Sequence, residues 1–290
     1  MVLVFNREFS SGFTRRILPL PEGPGKGSCF TLLQKNIQMA FVETNSPEDG
    51  ILEITFFHEA QNSLPSEILQ GLAAAIRAAG EHPGTRVIIL KSGGDRTFCA
   101  GASFNELVAI RDLEEGKKFF SGFAHVINAI RTCGKMVIGR VQGKAIGGGV
   151  GLAAAVDHCF ATRHAQVKLS ELAVGIGPFV VGPAVQRKVG LSAFSQMTLN
   201  ASELYSAEWA KENGLYAELF DSIEDLDAAV LAFARKLAAS NPEALSLLKK
   251  VFWEGTDHWD VLLMERAGMS GRLVLSDFTR DALAKFGIRS

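Results

Sequence analysis

The chain has 290 residues, 47% apolar and 21% charged, with a formal net charge of −1. That balance belongs to a globular protein of one large or two modest domains that can bury a sizeable core. It offers no global attraction for nucleic acid or an anionic membrane surface, although a local basic groove is compatible with it, and no apolar run reaches the ~18 residues that would span a bilayer.

Residues 1–36 read as a flexible N-terminal extension. Arg7, Arg15, Arg16 and Lys26 outnumber Glu8 and Glu22, and the run from Pro19 to Gly27 (P-L-P-E-G-P-G-K-G) suits neither a helix nor a central strand. The apolar stretch Met1–Phe5 is too short for a secretory signal; a mitochondrial-type presequence is the functional alternative. Strands are predicted at Gln38–Thr44 and Gly50–Phe57, flanking a turn at Asn45–Asp49. Ser66–Ala79 carries Ile68, Leu69, Leu72, Ala73 and Ile76 at helical spacing, with Gly80 and Pro83 as stop signals. Arg86–Lys91 is a short buried strand. Leu113–Ile130 is a second amphipathic helix with Phe119, Phe120, Phe123, Val126 and Ile127 on its apolar side. Met136–Val141 is a strand, Gly147–Val156 opens a helix, and Cys159–Ala161 is a strand again.

From Ser202 the strand signal fades. Helices are predicted at Ala207–Asn213, Ile223–Ser240, Pro242–Phe252, Asp260–Val274 and Asp277–Phe286. The expectation is an α/β core over 37–200 and a helical region over 201–290. The four cysteines, Cys29, Cys99, Cys133 and Cys159, are scattered with no C-x-x-C pair. Neither a zinc site nor a disulfide framework is expected, and a reducing compartment fits best, the cytoplasm ahead of the mitochondrial matrix.

Two small-residue turns carry the chemistry. Thr97-Phe98-Cys99-Ala100-Gly101-Ala102-Ser103 follows one strand, and Gln142-Gly143-Lys144-Ala145-Ile146-Gly147-Gly148-Gly149-Val150-Gly151-Leu152 runs from a strand into a helix. A turn that opens a helix leaves N–H groups without internal partners, and missing side chains let a ligand approach them. Such a turn can hold an anion or a developing oxyanion, or can serve tight packing alone. Gly149–Ala154 also matches G-x-G-x-x-A, with Glu171 near the distance of a ribose-binding acid. The glycine run is too long and the helix too short for that dinucleotide fingerprint, and Glu171 does not sit at a strand end.

Together, in this order, the two turns resemble the crotonase superfamily of enoyl-CoA hydratases and isomerases. The resemblance extends through Ala153–Asp157, Val167–Gly175 (V-K-L-S-E-L-A-V-G) and Ser206–Leu215 (S-A-E-W-A-K-E-N-G-L), covering Gln38 onward. It implies a spiral of ββα units with a C-terminal helical trimerisation region, and a homotrimer or dimer of trimers. It implies an acyl-CoA substrate with coenzyme A as its carrier, no permanent cofactor and no metal. The N–H groups of Ala102 and Gly148 would form an oxyanion hole and Glu171 would be the acid/base. Ala60, Asn62, Ala100, Gly101, Phe104, Gly147 and Gly151 would line the substrate site, and tail lysines such as Lys249, Lys250 and Lys285 would be surface charges or lie near CoA phosphates.

Two positions depart from the family pattern. Gly151 stands where two-glutamate hydratases carry their second glutamate, and Ser103 replaces an aspartate. The pattern is that of single-glutamate isomerases and branched-chain hydratases, including those similar to methylglutaconyl-CoA hydratase. A catalytically idle binding protein of the same fold is the alternative from another class. His125 reads as a core or rim residue, and the phenylalanine cluster as core, with an acyl-pocket wall as its alternative.

Overall fold

The computed structural model describes residues 40–287, so the N-terminal extension, with Cys29, lies outside the described residues. In chain order the elements are β1 (Ala40–Glu48), β2 (Ile51–His58), β3 (Ser63–Leu64), α1 (Ser66–Glu81), β4 (Val87–Ser92), β5 (Thr97–Cys99), β6 (Gly101–Ala102), α2 (Phe104–Val108) and α3 (Leu113–Thr132). Then follow β7 (Met136–Val141), β8 (Lys144–Ile146), α4 (Gly148–Ala155), β9 (His158–Thr162), β10 (Val167–Lys168) and a 3₁₀ turn (Glu171–Val174). The rest is α5 (Gly182–Leu199), α6 (Ala207–Glu212), β11 (Glu218–Phe220), α7 (Ile223–Ala238), α8 (Pro242–Phe252), α9 (Trp259–Leu273) and α10 (Asp277–Gly287).

A six-stranded sheet in the order β1-β2-β4-β7-β9-β11 forms the frame. Only β1 and β2 pair antiparallel, through a tight turn in which Gly50 takes φ +80. Pro47 is tolerated in β1 because that strand is at the edge and its missing donor breaks no ladder. The central strands are buried on both faces, which their unbroken apolar runs anticipate. Alternate residues divide the two faces. Ile88 and Leu90 join the core built with α1, α3 and α4, whereas Val87 and Ile89 pack with Leu226, Val230 and Ala234 of α7.

The segment expected to be purely helical therefore supplies both β11 and the helix that covers the second face, and residue 200 is not a packing boundary. Three residues are too few to display a strand period; β11 exists because Glu218 to Phe220 pair parallel with Phe160 to Thr162. The long α5 was also not foreseen. Glycine and proline open it, and Gly190 at φ +78 kinks it, so no single amphipathic period runs along it. A two-stranded sheet, β3-β6, and a three-stranded one, β10-β8-β5, stack beside the frame and carry the two small-residue turns.

The C-terminal helices pack back onto the core. A Cβ built on Gly116 of α3 would lie 2.8 Å from Gly271 Cα, so α3 and α9 touch backbone to backbone. Lys249 of α8 is buried rather than a surface charge. Its Nζ lies 2.5 Å from Asp157 Oδ2, which also accepts from the Val137 N–H at 2.7 Å, while Trp253 Nε1 donates to Oδ1 at 3.1 Å.

Candidate active site

The first turn is held by the β3-β6 pair. Leu64 lies opposite Ala102, and the Ser103 N–H donates to the Leu64 carbonyl at 2.9 Å. In a parallel pair alternate residues point their N–H groups to the same side, so the Ala102 N–H is turned away from β3. Ser103 caps α2, its Oγ accepting from the Glu106 N–H, which gives the serine a structural use. The second turn places Gly147 at φ +52 and ψ −115 and opens α4 at Gly148, whose N–H has no helical carbonyl behind it. A Cβ built on Gly101 would lie 3.6 Å from Gly148 N, so the two turns meet.

Glu171 reaches this junction through β10. Parallel pairing of β10 with β8 brings the Gly147 N–H to the Lys168 carbonyl at 2.8 Å and sets the 3₁₀ turn beside the start of α4. A Cβ on Gly147 would stand 3.0 Å from Glu171 Oε1, so only glycine lets the carboxyl in. Glu171 Oε2 is buried without a hydrogen-bond partner. Burial pushes the carboxyl pKa up to about 7, against a lowering hydrogen bond from its own backbone. Gly148 is equally constrained, because a Cβ there would enter the Phe123 ring.

These groups open onto a cavity of about 290 Å³. The enoyl-CoA hydratase/isomerase family model matches residues 46–270. The chain belongs to that family. It is 30% identical to mouse methylglutaconyl-CoA hydratase over 201 residues, 68% of this chain and 63% of that protein's own length. It is 26% identical to the short-chain-enoyl-CoA hydratase of Clostridium acetobutylicum over 257 residues, 88% of this chain and 93% of the relative. The enoyl-CoA hydratase structure from Bacillus halodurans superposes with TM-score 0.78 at 22% identity, covering 84% of this chain and 99% of that one, so the crotonase fold expected from the sequence is present.

Within that fold Ala100, Gly101, Ala102, Phe104, Gly147, Gly148 and Glu171 line the cavity together. Ala60, Asn62 and Gly151 do not. Ala60 is exposed in the turn after β2. Asn62 is buried, and its side chain is committed to backbone. Oδ1 accepts from the His58 N–H, and Nδ2 donates to the carbonyls of Gly93 and Thr97 at 2.9 and 2.8 Å. Its own carbonyl takes the Ala100 N–H at 3.1 Å, so Asn62 braces the first turn rather than a ligand. Gly151 faces Val181, whose Cγ1 would be 2.4 Å from a Cβ at that position.

Phe119, Phe120 and Phe123 all line the cavity, and Phe119 and Phe123 are buried core residues as expected, so the cluster is core and cavity wall at once. His125 is exposed, neither core nor cavity. Sequence reasoning missed the opposite wall: Ile176 to Val181, Ser270 of α9 and Leu283 of α10. The G-P-F-V-V run after Ile176 was the available signal, since consecutive bulky apolar residues there had no element to serve. The dinucleotide reading falls, because the Glu171 carboxyl occupies the start of α4 where a pyrophosphate would lie, and α4 has only eight residues. Among the described residues no group of three or more His, Cys, Asp or Glu could hold a metal ion.

Proposed function

We propose that this chain acts on an enoyl-CoA thioester, moving a proton with Glu171 while the N–H groups of Ala102 and Gly148 hold the thioester oxygen as it becomes an enolate. Removing a proton beside a thioester drives electrons onto that oxygen, and fixed donors stabilise the charge where it develops. The observation that carries this reading is a carboxyl with a raised pKa, one of its oxygens buried without a partner, beside the junction of two small-residue turns. A pKa near working pH suits a group that must both take and return a proton.

The reaction this geometry supports best is isomerisation of the double bond. Glu171 takes a proton from one carbon of a 3-enoyl ester and returns it two carbons further along, with no net gain or loss of atoms. Among the described residues lining the cavity, Glu171 and Lys168 are the only titratable side chains, and the Lys168 ammonium is bound to the Ser202 carbonyl at 2.8 Å. A second carboxylate at 151 is sterically blocked by Val181. Hydration of a conjugated ester is the second reading, favoured by relatives whose names say hydratase. Coenzyme A serves as substrate carrier, with no permanent cofactor and no metal.

Product analysis by mass spectrometry decides between the two. Conversion of a 3-enoyl-CoA to its 2-enoyl isomer without mass change supports isomerisation; a gain of water on crotonyl-CoA replaces it with hydration. No conversion of any thioester moves the chain to the idle binding-protein reading. A homotrimer or dimer of trimers in the cytoplasm belongs to the same proposal. Its support is a set of exposed apolar residues on α8 and α9, among them Leu247, Val251 and Val261; light scattering on the purified chain tests the assembly.

A further inference from the structure

The cavity walls around Glu171 are hydrocarbon. Phe119 and Phe120 of α3, Phe179 and Val181 of the loop before α5, and Leu283 of α10 face one another across it, with Ser63, Ser170 and Ser270 as the hydroxyl groups. No arginine or histidine lines it among the described residues, and Lys168 is tied outward to the Ser202 carbonyl. Leu283 closes the far side, packed with Ile176 and Val274 in a small apolar cluster of its own.

Resting on the CoA-ester reading above, we infer that the acyl group this site accepts is an uncharged hydrocarbon, and that an acyl group ending in a second carboxylate is rejected. A carboxylate pushed among these walls would lose its water and find in return only three serine hydroxyls and an ammonium already donating to the Ser202 carbonyl. It would also share the cavity with Glu171, so like charges would oppose each other at short range. The selection is thus made by the hydrocarbon side chains that dominate the walls. It separates this chain from its methylglutaconyl-CoA-hydrating relatives, since a methylglutaconyl group carries such a carboxylate.

The test needs no variant. Binding of 5-methylhexanoyl-CoA and glutaryl-CoA to the full chain is measured by isothermal titration calorimetry at pH 8. The two acyl groups share one heavy-atom skeleton, and the CoA portion is identical, so the difference reports the terminal carboxylate alone. The expected result is that the hydrocarbon ester binds roughly 100-fold more tightly. Affinities within threefold of each other, or tighter glutaryl-CoA binding, overturn the inference and leave the CoA-ester reading standing. Binding of neither ester overturns both.

Discussion

Val181 fills the space that a side chain at Gly151 would need, its Cγ1 only 2.4 Å from where a Cβ would be built. The relationship couples α4 to the loop before α5 and leaves one carboxylate on this side of the cavity. Gly151→Glu is expected to destabilise the protein by at least about 2 kcal/mol, because it overpacks a filled interior and buries an unpaired charge. It should confer no hydratase activity. Urea denaturation checks the first part, and the double change with Val181→Ala should recover part of the loss. An unchanged midpoint for Gly151→Glu would show that the contact yields freely.

Glu171→Gln keeps the shape of the side chain and removes the proton-transfer group. Turnover should fall by about 10² to 10⁴. Affinity for a non-reacting saturated CoA ester should stay within a few-fold, measured on the same preparation. An active Glu171→Gln protein contradicts the assignment of this residue.

The raised pKa of Glu171 gives two linked expectations. As a base it is ready only above about 7, so turnover should climb through a limb centred there; a limb near 4.5 would mean a hydrated carboxyl. The stability sign follows from the same shift. Folding raises this pKa above its ordinary 4.5, so the group's contribution is fully present below that value and is lost as pH rises through about 7. Glu171→Gln has no such loss and should gain on wild type by up to about 3 kcal/mol across that window. Denaturation of both proteins at pH 5 and pH 8 gives the comparison.

The donor at Ala102 can be removed without adding a side chain. Incorporating lactic acid at that position replaces the N–H by an ester oxygen and keeps the methyl group. The rate should drop by roughly 10² to 10³. Gly148→Pro is a poorer probe, because any Cβ there strikes the Phe123 ring and would disturb the site regardless of the lost N–H. A fully active ester at Ala102 would place the enolate elsewhere.

Asp157 and Lys249 form a buried pair, at 5% and 3% side-chain exposure. Asp157→Ala strands the ammonium and frees the Val137 N–H and the Trp253 indole. A loss of about 3–5 kcal/mol is expected, read by chemical denaturation. A loss below 1 kcal/mol would mean that the lysine finds water.

What could be read from the sequence follows a physical divide. Helices α1, α3 and α8 and strand β7 carry enough apolar positions at one period to declare themselves, and they stand within about two residues of their expected bounds. The two glycine turns were legible because several small residues in a row are costly unless something occupies their missing side chains; Glu171 and Phe123 do so here. The strand β11, the kinked α5 and the roles of Asn62 and Leu283 were not legible. Each depends on a partner distant in the chain, which no local pattern reports.

The wall supplied by α10 has a consequence for the order in which the protein is made. Phe278 and Thr279 press on Gly175 at the end of the turn that carries Glu171, and Leu283 completes the cavity. A nascent chain already contains both small-residue turns and the carboxyl long before Leu283 has been added. The last helix synthesised among the described residues is thus the one that closes the cavity, so the pocket onto which Glu171 opens is complete only when the described fold is.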